Sequence, residues 1–240
     1  MALAAFSPLY RQVKSLITED LRAGLWKPGD MIPSEVELAA RHGVSQGTVR
    51  RAIEELTAEN LLIRQQGRGT FVASHLSPRS QFRFLRLRRD DQLPLVPTSE
   101  VLECKRMRAP IEIARQLQIR VGEPVVMVRR LLRVEQEPAV LEDIWLPGAR
   151  FKGLSAERLS AYHGPLYGLF ESDFGTRMIR ATEAVRAVEA PTDVARILVV
   201  KPASPILLVE RLSFTYQDMP VEVRAGYYLT NVCHYFNELS

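Results

Sequence analysis

Apolar residues recur at helical spacing in three successive segments near the N-terminus. The first segment follows a Ser-Pro pair, which supplies an N-cap and a first-turn proline, and it is predicted to end at Gly24. Ser34 and Glu37 form a capping box for a second helix that ends at Gly43. Ser45 begins a third helix, so the second and third helices with the turn between them make a helix-turn-helix. The predicted buried face of the third helix comprises Val49, Ala52, Ile53 and Leu56.

A hairpin is predicted directly after the third helix. Leu61–Arg64 and Thr70–Val72 are short strand-like runs, and Gln65–Gly69 between them is a basic, glycine-rich tip. Three helices followed by such a hairpin predict a winged helix.

Polar residues beside the buried face of the third helix point to DNA. Gln46 and Arg50 lie one turn apart near its N-terminus, where a recognition helix meets base edges in the major groove. Arginine can pair bidentately with guanine, and glutamine with adenine. Arg68, between two glycines, fits a wing tip that enters the minor groove or grips phosphate. The alternative is that Arg50 and Arg51 pair with acidic residues one turn further on and that Arg68 is a solvated loop residue.

Five segments of this region are linked in register: Leu9-Tyr10, Lys27–Asp30, Ile32–Glu35, Val44–Arg50 and Gln66–Val72. Together they resemble the DNA-binding domain of GntR-family transcriptional regulators over about residues 7–73. The resemblance implies DNA contact by Arg50 and by the wing tip. The predicted DNA-binding residues are Ser34, Ser45, Gln46, Thr48, Arg50, Arg51, Gly67, Arg68 and Gly69. Many members have arginine where this chain has Val36 and Gln46, so the operator half-site can differ, and Gln46 is the first residue expected to change it.

An internal repeat occupies much of the remaining chain. When the sequence is shifted by 81 residues, Ala109-Pro110 aligns with Ala190-Pro191, and Arg130-Leu131 with Arg211-Leu212. Each copy predicts a short helix, a strand, a turn that ends in proline, and a second strand. Two such halves predict an α+β domain with one mostly antiparallel sheet, pseudo-two-fold symmetry and helices on one face. A further helix is predicted from Pro165 through Phe170.

The distribution of charged residues also separates the N-terminal region from the region that contains the repeat. Residues 1–75 carry net charge +1, residues 76–93 carry +3, and residues 94–240 carry zero. We predict a winged-helix DNA-binding domain at 1–75, a linker at 76–94, and an effector-binding and dimerisation domain at 95–240. The alternation over 82–87 could instead be an edge strand of the second domain. The basic excess fits a nucleic-acid surface, although a basic run can also be a solvated linker.

Polar residues that interrupt the apolar strands are candidates for a small-molecule site where the two halves meet. They are Arg130, Glu142, Arg180, Glu183, Glu222 and Arg224, with Tyr167 and Tyr228 as aromatic walls. An arginine inside a domain suits a carboxylate or phosphate through bidentate hydrogen bonds. The alternative is that Arg130 and its repeat equivalent Arg211 only pair with strand carboxylates such as Glu142 or Glu222.

A second resemblance rests on six segments of the remaining chain. They are Arg130, Glu137–Glu142, Leu166-Tyr167, Phe174-Gly175, Pro220–Glu222 and Tyr227-Tyr228. They are similar to the UTRA effector domain of the HutC subfamily over roughly 80–236. The resemblance implies a chorismate-lyase-like fold, dimerisation, and a small-metabolite pocket lined by Arg130, Glu142, Glu222 and Tyr228. Many members carry arginine and aspartate where Leu132 and Asn231 stand, so we expect a ligand less anionic than the sugar phosphates that some relatives bind.

Several other classes of protein are excluded by the sequence. No apolar run approaches the roughly 18 residues of a membrane span, and the N-terminus lacks the features of a signal peptide. Cys104 and Cys233 form no disulfide framework and fit a reducing cytoplasm. The histidines are scattered without metal-ligand spacing, and neither a nucleophile elbow nor a nucleotide-binding glycine motif is present. We therefore predict no catalytic residue, no metal and no cofactor.

These features predict a cytoplasmic transcription factor, most often a repressor, that responds to a carboxylate or phosphate metabolite. A homodimer would place two winged helices on a palindromic operator. One alternative is an enzyme of the chorismate-lyase type with a DNA-binding head, in which Glu142 beside Arg130 does acid–base work. Another is an architectural DNA-binding protein that ignores ligands, which the net-zero charge of residues 94–240 argues against.

Overall fold

The computed structural model describes residues 7–77, 84–91, 93, 95, 97–231 and 233–237. Contacts divide the chain into two compact units, Met1–Ser80 and Gln81–Ser240. Residues 78–83, 92 and 94 of the predicted linker, and the start of the predicted strand at 82–87, lie outside the described residues.

The N-terminal unit has the winged-helix architecture predicted from the sequence. Its helices are α1 (Leu9–Arg22), α2 (Glu35–His42) and α3 (Gln46–Ala58). The wing is an antiparallel hairpin of β1 (Leu62–Gln65) and β2 (Gly69–Val72). All three helices bury apolar side chains on the faces that the hydrophobic spacing predicts, including Val13, Ile17, Leu21, Leu38, Val49, Ala52, Ile53 and Leu56.

The caps that orient α2 and α3 form as the sequence indicates. Ser34 accepts a hydrogen bond from the backbone N–H of Glu37, and the Glu37 carboxylate accepts one from the backbone N–H of Ser34. Gly43 ends α2 in the left-handed conformation at φ 63°, which glycine adopts without steric cost. Ser45 caps α3 two residues later, so the turn between the two helices is fixed at both ends.

A six-stranded antiparallel sheet forms the frame of the C-terminal unit. Its strands are β4 (Thr98–Arg108), β5 (Pro124–Val134), β6 (Glu137–Pro147), β7 (Arg180–Glu189), β8 (Pro205–Phe214) and β9 (Pro220–Tyr228), in the order β4-β5-β6-β9-β8-β7. Its helices are α4 (Ile111–Gln116), α5 (Ala156–Ala161), α6 (Leu166–Phe174) and α7 (Thr192–Leu198). The two predicted halves are confirmed, and β6 pairs with β9 where they meet.

Each half contains one strand more than the sequence predicts. β4 precedes α4 and β7 precedes α7, so each half reads strand, helix, strand, strand. β4 and β7 are the two edges of the sheet, and most of their side chains are exposed or half-buried. A strand with little buried surface carries no strong apolar alternation, which is why the pattern did not reveal these two.

The helices occupy both faces of the sheet, whereas the sequence predicts one face. Successive strand residues point to opposite faces. Val126 and Val128 on β5 pack with Phe170 of α6, while Val125 on the same strand packs with Ala114 of α4. The repeated helices α4 and α7 therefore cover one face, and α5 and α6, from the segment between the repeats, cover part of the other.

Part of the predicted linker belongs to the C-terminal unit. β3 (Leu87–Arg89) pairs antiparallel with β10 (Cys233–Tyr235) in a separate two-stranded sheet. Leu87 and Cys233 are buried in one cluster with Val140 and Tyr228. This burial gives the segment a fixed position that its arginine-rich composition did not indicate.

Candidate nucleic-acid interface and ligand cavity

The N-terminus of α3 carries most of the predicted DNA-binding side chains. Ser45 Oγ accepts a hydrogen bond from the backbone N–H of Thr48 at 3.2 Å and lies 2.9 Å from Thr48 Oγ1. Gln46, Arg50 and Arg51 are exposed within the next two turns. Because a helix N-terminus presents unpaired N–H groups and a positive dipole, this end favours an anionic partner such as phosphate.

Glu35, at the start of α2, holds side chains from two other elements. Its Oε2 accepts hydrogen bonds from Gln46 Nε2 at 3.2 Å and from Arg50 Nε and Nη2 at 3.0 and 2.9 Å. Its Oε1 accepts one from Arg64 Nη2 at 2.5 Å. The hydrogen bond from Arg50 lowers the pKa of Glu35, and Glu35 in turn raises the pKa of Arg50. The sequence pattern does not reveal this role of Glu35, because its three partners are distant along the chain.

The predicted alternative pairing along α3 differs from the observed contacts. Arg51 lies over the ring of Tyr10 on α1, with 4.0 Å from the guanidinium carbon to the ring centroid. Glu55 instead accepts a hydrogen bond from Lys14 at 3.0 Å. Within the described part of the chain, neither Arg50 nor Arg51 forms an ion pair with an acidic residue one turn further on.

The wing tip requires glycine at two positions. Gly67 has φ 71° and Gly69 has φ 114°, both in the region that side chains disfavour. Arg68 between them is exposed, with its guanidinium carbon 5.9 Å from the ring centroid of Phe71. Ser34, the remaining predicted DNA-binding residue, is exposed and caps α2.

A buried charge network crosses the central strands of the C-terminal sheet. Arg130 Nε on β5 donates to Glu142 Oε2 on β6 at 2.6 Å. Arg224 on β9 donates through Nη1 to Glu142 Oε1 at 2.7 Å and through Nη2 to Glu222 Oε2 at 2.8 Å. Glu142 and Glu222 are 1% and 0% exposed, so the two carboxylates depend on these arginines for compensation.

Tyr167 of α6 closes one side of this network. Its hydroxyl donates to Glu222 Oε1 at 2.7 Å, and the hydroxyl of Ser213 donates to the same oxygen at 3.1 Å. The Arg224 guanidinium carbon lies 5.3 Å from the centroid of the Tyr167 ring. α6 is thereby tied to β8 and β9.

Arg211 on β8 extends the network to the start of the described C-terminal chain. Its Nε donates to Glu183 Oε1 on β7 at 2.6 Å, and its Nη2 donates to the backbone carbonyl of Phe84. The Tyr235 hydroxyl of β10 also donates to Glu183. The Phe84 ring packs edge-on against Tyr167 at 5.2 Å between centroids. Phe84 is therefore held by Arg211 and Tyr167, two side chains of the network.

A cavity of ≈ 180 Å³ opens beside this network. Its lining includes Arg130, Glu142, Tyr167 and Arg224, so the structure brings four of the predicted effector residues together. The rest of the lining is Phe84, Leu85, Pro97, Ser99, Leu132, His163, Gly164, Pro165, Leu166 and Arg211. An adjoining cavity of ≈ 360 Å³ shares Ser99, Arg130, His163 and other residues with it.

Arg211 was absent from the predicted set, although its equivalence to Arg130 in the repeat could have indicated it. The four other predicted candidates, Arg180, Glu183, Glu222 and Tyr228, do not line this cavity, and Glu183 lies behind it as the partner of Arg211. Glu222 lies behind Tyr167 and Arg224, and Tyr228 is buried in the cluster beneath β3 and β10. Arg180 is exposed, donates to Asp218 Oδ1 at 2.6 Å, and lies 3.8 Å from the centroid of Phe214.

Burial and charge fix the protonation of the network. Burial alone would raise the pKa of Glu142, but Arg130, Arg224 and Arg211 outweigh it and lower this pKa to about 2. Burial, reinforced by Glu142, raises the pKa of Tyr228 to about 12. Arg224 keeps its charge despite burial, because Glu142 and Glu222 raise its pKa. Glu142, Tyr228 and Arg224 therefore each hold one charge state near neutral pH.

Two other kinds of feature are metal-ligand clusters and membrane-spanning helices, and neither occurs in the part of the chain that the structure describes. No group of three or more histidine, cysteine, aspartate or glutamate side chains there could hold a metal ion. The helices found there are all too short or too polar to cross a membrane.

Comparisons with known proteins agree with both units. Residues 9–72 match the bacterial regulatory proteins of the gntR family, and residues 82–233 match the UTRA domain. The chain is 32% identical to the mannosyl-D-glycerate transport/metabolism system repressor MngR of Escherichia coli, over 87% of this chain and 85% of that protein. It is 53% identical to the histidine utilization repressor of Klebsiella aerogenes over 70 residues, which are 29% of each protein.

A solved structure supports the fold of the C-terminal unit. The ligand-binding domain of a GntR-family transcriptional regulator from Bordetella bronchiseptica aligns with a TM-score of 0.64 and 51% identity, over 65% of this chain and 96% of that one. With a winged helix followed by a UTRA domain, this chain belongs to the GntR family of bacterial transcriptional regulators, in the HutC subfamily.

Proposed function

We propose that this protein is a repressor that binds a palindromic operator as a homodimer in the cytoplasm and is controlled by a small anionic metabolite. The observation that carries the proposal is the cavity lined by Arg130 and Arg211. Each arginine uses Nε and Nη2 for protein contacts, and neither Nη1 takes part in a hydrogen bond or ion pair among the described residues. Two guanidinium groups with spare donors beside an apolar wall suit a carboxylate or phosphate.

The charge balance of the cavity favours a singly charged carboxylate over a doubly charged phosphate. Arg130 and Arg224 pair with Glu142, Arg224 also pairs with Glu222, and Arg211 pairs with Glu183. Three arginines thus face three glutamates. Since no net positive charge is left over, a ligand charge would be balanced only by hydrogen bonds from the two spare Nη1 groups, which suffice for one carboxylate and leave a second charge desolvated without compensation. Phe84, Leu132 and Leu166 would cover the apolar part of the ligand.

Binding rather than catalysis fits Glu142 better. A general acid or base has to exchange a proton near the working pH. Both oxygens of Glu142 accept hydrogen bonds from arginine, and its pKa of about 2 keeps it ionised. Glu142, the residue on which the chorismate-lyase-like alternative rests, is therefore not suited to proton transfer.

Control of DNA binding requires the ligand to prefer one conformation of the protein over another. Arg211 offers such a preference, because the guanidinium whose Nη1 would bind the ligand anion also holds the Phe84 carbonyl through Nη2, so a ligand that shifts the guanidinium would alter that contact. A coupling free energy of about 1–3 kcal/mol would change operator affinity roughly 5- to 150-fold. On this proposal, Gln46, Arg50, Arg51 and Arg68 contact the operator.

A thermal-shift screen of the full chain against carboxylates, amino-acid catabolites and sugar phosphates tests the proposal. A ligand at 100 times its Kd should add about 2.7 kcal/mol of stability and raise the melting temperature. Arg130→Ala should abolish the shift. Arg180→Ala is the matched control, because it removes an arginine of the same unit from outside the cavity. A screen without any hit, or equal losses in both variants, would contradict the cavity assignment.

A further inference from the structure

Glu35 joins three elements of the N-terminal unit at the predicted DNA-binding face. Gln46 and Arg50 reach it from α3, and Arg64 reaches it from β1 of the wing. The Glu35 side chain is 17% exposed, whereas Arg50 and Arg64 are 53% and 45% exposed. The carboxylate therefore lies beneath the cations and leaves their outer edges open to solvent.

We propose that Glu35 is a positioning residue for DNA recognition, which holds Arg50 and Gln46 in the orientation in which they read bases. The inference rests on the proposal that α3 contacts the operator. The phosphates of DNA repel a carboxylate, so Glu35 would add no general affinity for DNA. Its role on this proposal is to help select the DNA sequence.

The donors and acceptors of Arg50 and Gln46 that do not contact Glu35 are those that base recognition needs. Arg50 uses Nε and one hydrogen of Nη2 on Glu35 Oε2, and its Nη1 has no partner in the described chain. The outer Nη1–Nη2 edge can therefore pair bidentately with guanine O6 and N7 while the inner edge stays on Glu35. Gln46 gives one Nε2 hydrogen to Glu35 and keeps the other hydrogen and Oε1, the pair of groups that adenine requires.

Orientation is the larger effect of Glu35, because exposed ion pairs contribute little to folding stability. Arg50 has many rotamers, and fixing it only on DNA contact would weaken the specific complex. A carboxylate that already holds the inner edge of the guanidinium removes that cost before DNA arrives. Its negative charge also weakens the attraction to phosphates that every DNA sequence shares. Both effects raise the ratio of specific to non-specific affinity.

The test compares variants of the full chain on two DNA probes. The first probe is a duplex selected in vitro from a random pool by the wild-type protein, and the second is a scrambled duplex of the same length. Glu35→Asp keeps the charge but shortens the reach to Arg50 and Gln46. Glu35→Gln removes the charge but keeps the length. Glu54→Gln is the control, since Glu54 lies on the exposed face of α3 and acts on Arg50 through its charge, which raises the Arg50 pKa, and not through a hydrogen bond among the described residues.

We expect Glu35→Asp and Glu35→Gln to lower the ratio of operator to scrambled affinity about tenfold or more. Their melting temperatures should stay near that of the wild type. Glu54→Gln should tighten binding to both duplexes without changing the ratio. Equal behaviour of Glu35→Gln and Glu54→Gln, an unchanged ratio for Glu35→Asp, or tighter operator binding by Glu35→Gln would overturn the proposal. Arg50→Ala separates the two levels of inference, because an unchanged ratio in that variant would contradict the assignment of α3 itself.

Discussion

Arginine–carboxylate pairs recur at both candidate sites with one arrangement. Arg50 rests on Glu35, Arg130 on Glu142, and Arg211 on Glu183. In each pair the carboxylate takes the Nε side of the guanidinium and leaves Nη1 without a partner in the described chain. A planar cation with five donors can serve two partners at once, which a lysine ammonium cannot do in fixed geometry.

The pH dependence of stability should report the burial of Glu142. Its pKa of about 2 lies below the ordinary 4.5, so the unfolded chain binds more protons between these values. The stabilisation is therefore complete above pH 4.5 and is lost as the pH falls towards 2, by roughly 3 kcal/mol. Urea unfolding at pH 3 to 7 measures this loss. In Glu142→Gln the acid loss should shrink, and stability at pH 7 should fall by about 3–5 kcal/mol because Arg130 and Arg224 lose a buried partner.

Glu112→Gln is the control for that measurement, since Glu112 is exposed and its one ion pair among the described residues is with Arg115 of the same helix turn. Its acid unfolding should follow that of the wild type. If Glu142→Gln and Glu112→Gln had the same profile, the low pKa of Glu142 would have no energetic consequence.

The residues found from sequence and those missed differ in what positions them. Arg130, Glu142 and Arg224 interrupt apolar strands, so the pattern exposes them directly. Ser99 and His163 lie on an edge strand and in a loop, and the fold of the chain brings them to the cavity. Periodicity along the chain contains no information about such contacts.

Secondary structure was best predicted where side chains mark the ends of elements. The capping box of α2 and the Ser45 cap of α3 place both helix starts within one residue. β7 is the opposite case, because seven of its ten residues are alanine, glutamate or arginine, which have high helical propensity. Pairing with β8 over its whole length overrides that propensity. Propensity fails here because the deciding hydrogen bonds come from another strand.

Removal of the α3 cap should test how firmly the recognition helix is held. Ser45→Ala removes the side-chain acceptor of the Thr48 backbone N–H, and we expect a loss of about 1 kcal/mol in the free energy of unfolding of the N-terminal unit. Chemical denaturation of the full chain measures it. Ser15→Ala, at an exposed position within α1, is the control and should be neutral or slightly stabilising. An equal, small effect in both variants would mean that the cap contributes nothing to α3.

The repeat explains where the cavity of the C-terminal unit forms. Arg130 and Arg211 occupy equivalent positions of the two halves, and both line the cavity. After the turn of each half the shift grows by one residue, to 82, which aligns Pro138 with Pro220 and makes Glu142 equivalent to Arg224. These two side chains form an ion pair across the central strands β6 and β9. Opposite charges at equivalent positions let the halves neutralise each other at their junction while each contributes an arginine to the ligand.

Arg211 and Arg130 should nevertheless differ in their effect on operator affinity in the absence of ligand. Among the described residues, the Arg130 side chain donates hydrogen bonds to Glu142 alone. Arg211 pairs with Glu183 and also donates to the carbonyl of Phe84, four residues after Ser80, where the N-terminal unit ends. Arg211→Lys keeps a charge for Glu183 but loses the planar fork that also reaches Phe84. We expect it to reduce the thermal shift caused by a carboxylate hit and also to change operator affinity without ligand. Arg130→Ala should reduce the shift alone.

Anisotropy titrations of the selected operator duplex, with and without the hit compound, measure both quantities in the two variants. A change in basal operator affinity by Arg211→Lys and not by Arg130→Ala would identify the Phe84 contact as the route from the cavity to DNA. If basal affinity were unchanged in both, Arg211 would act only as a second ligand contact, and the coupling between the two units would have to pass through another part of the C-terminal sheet.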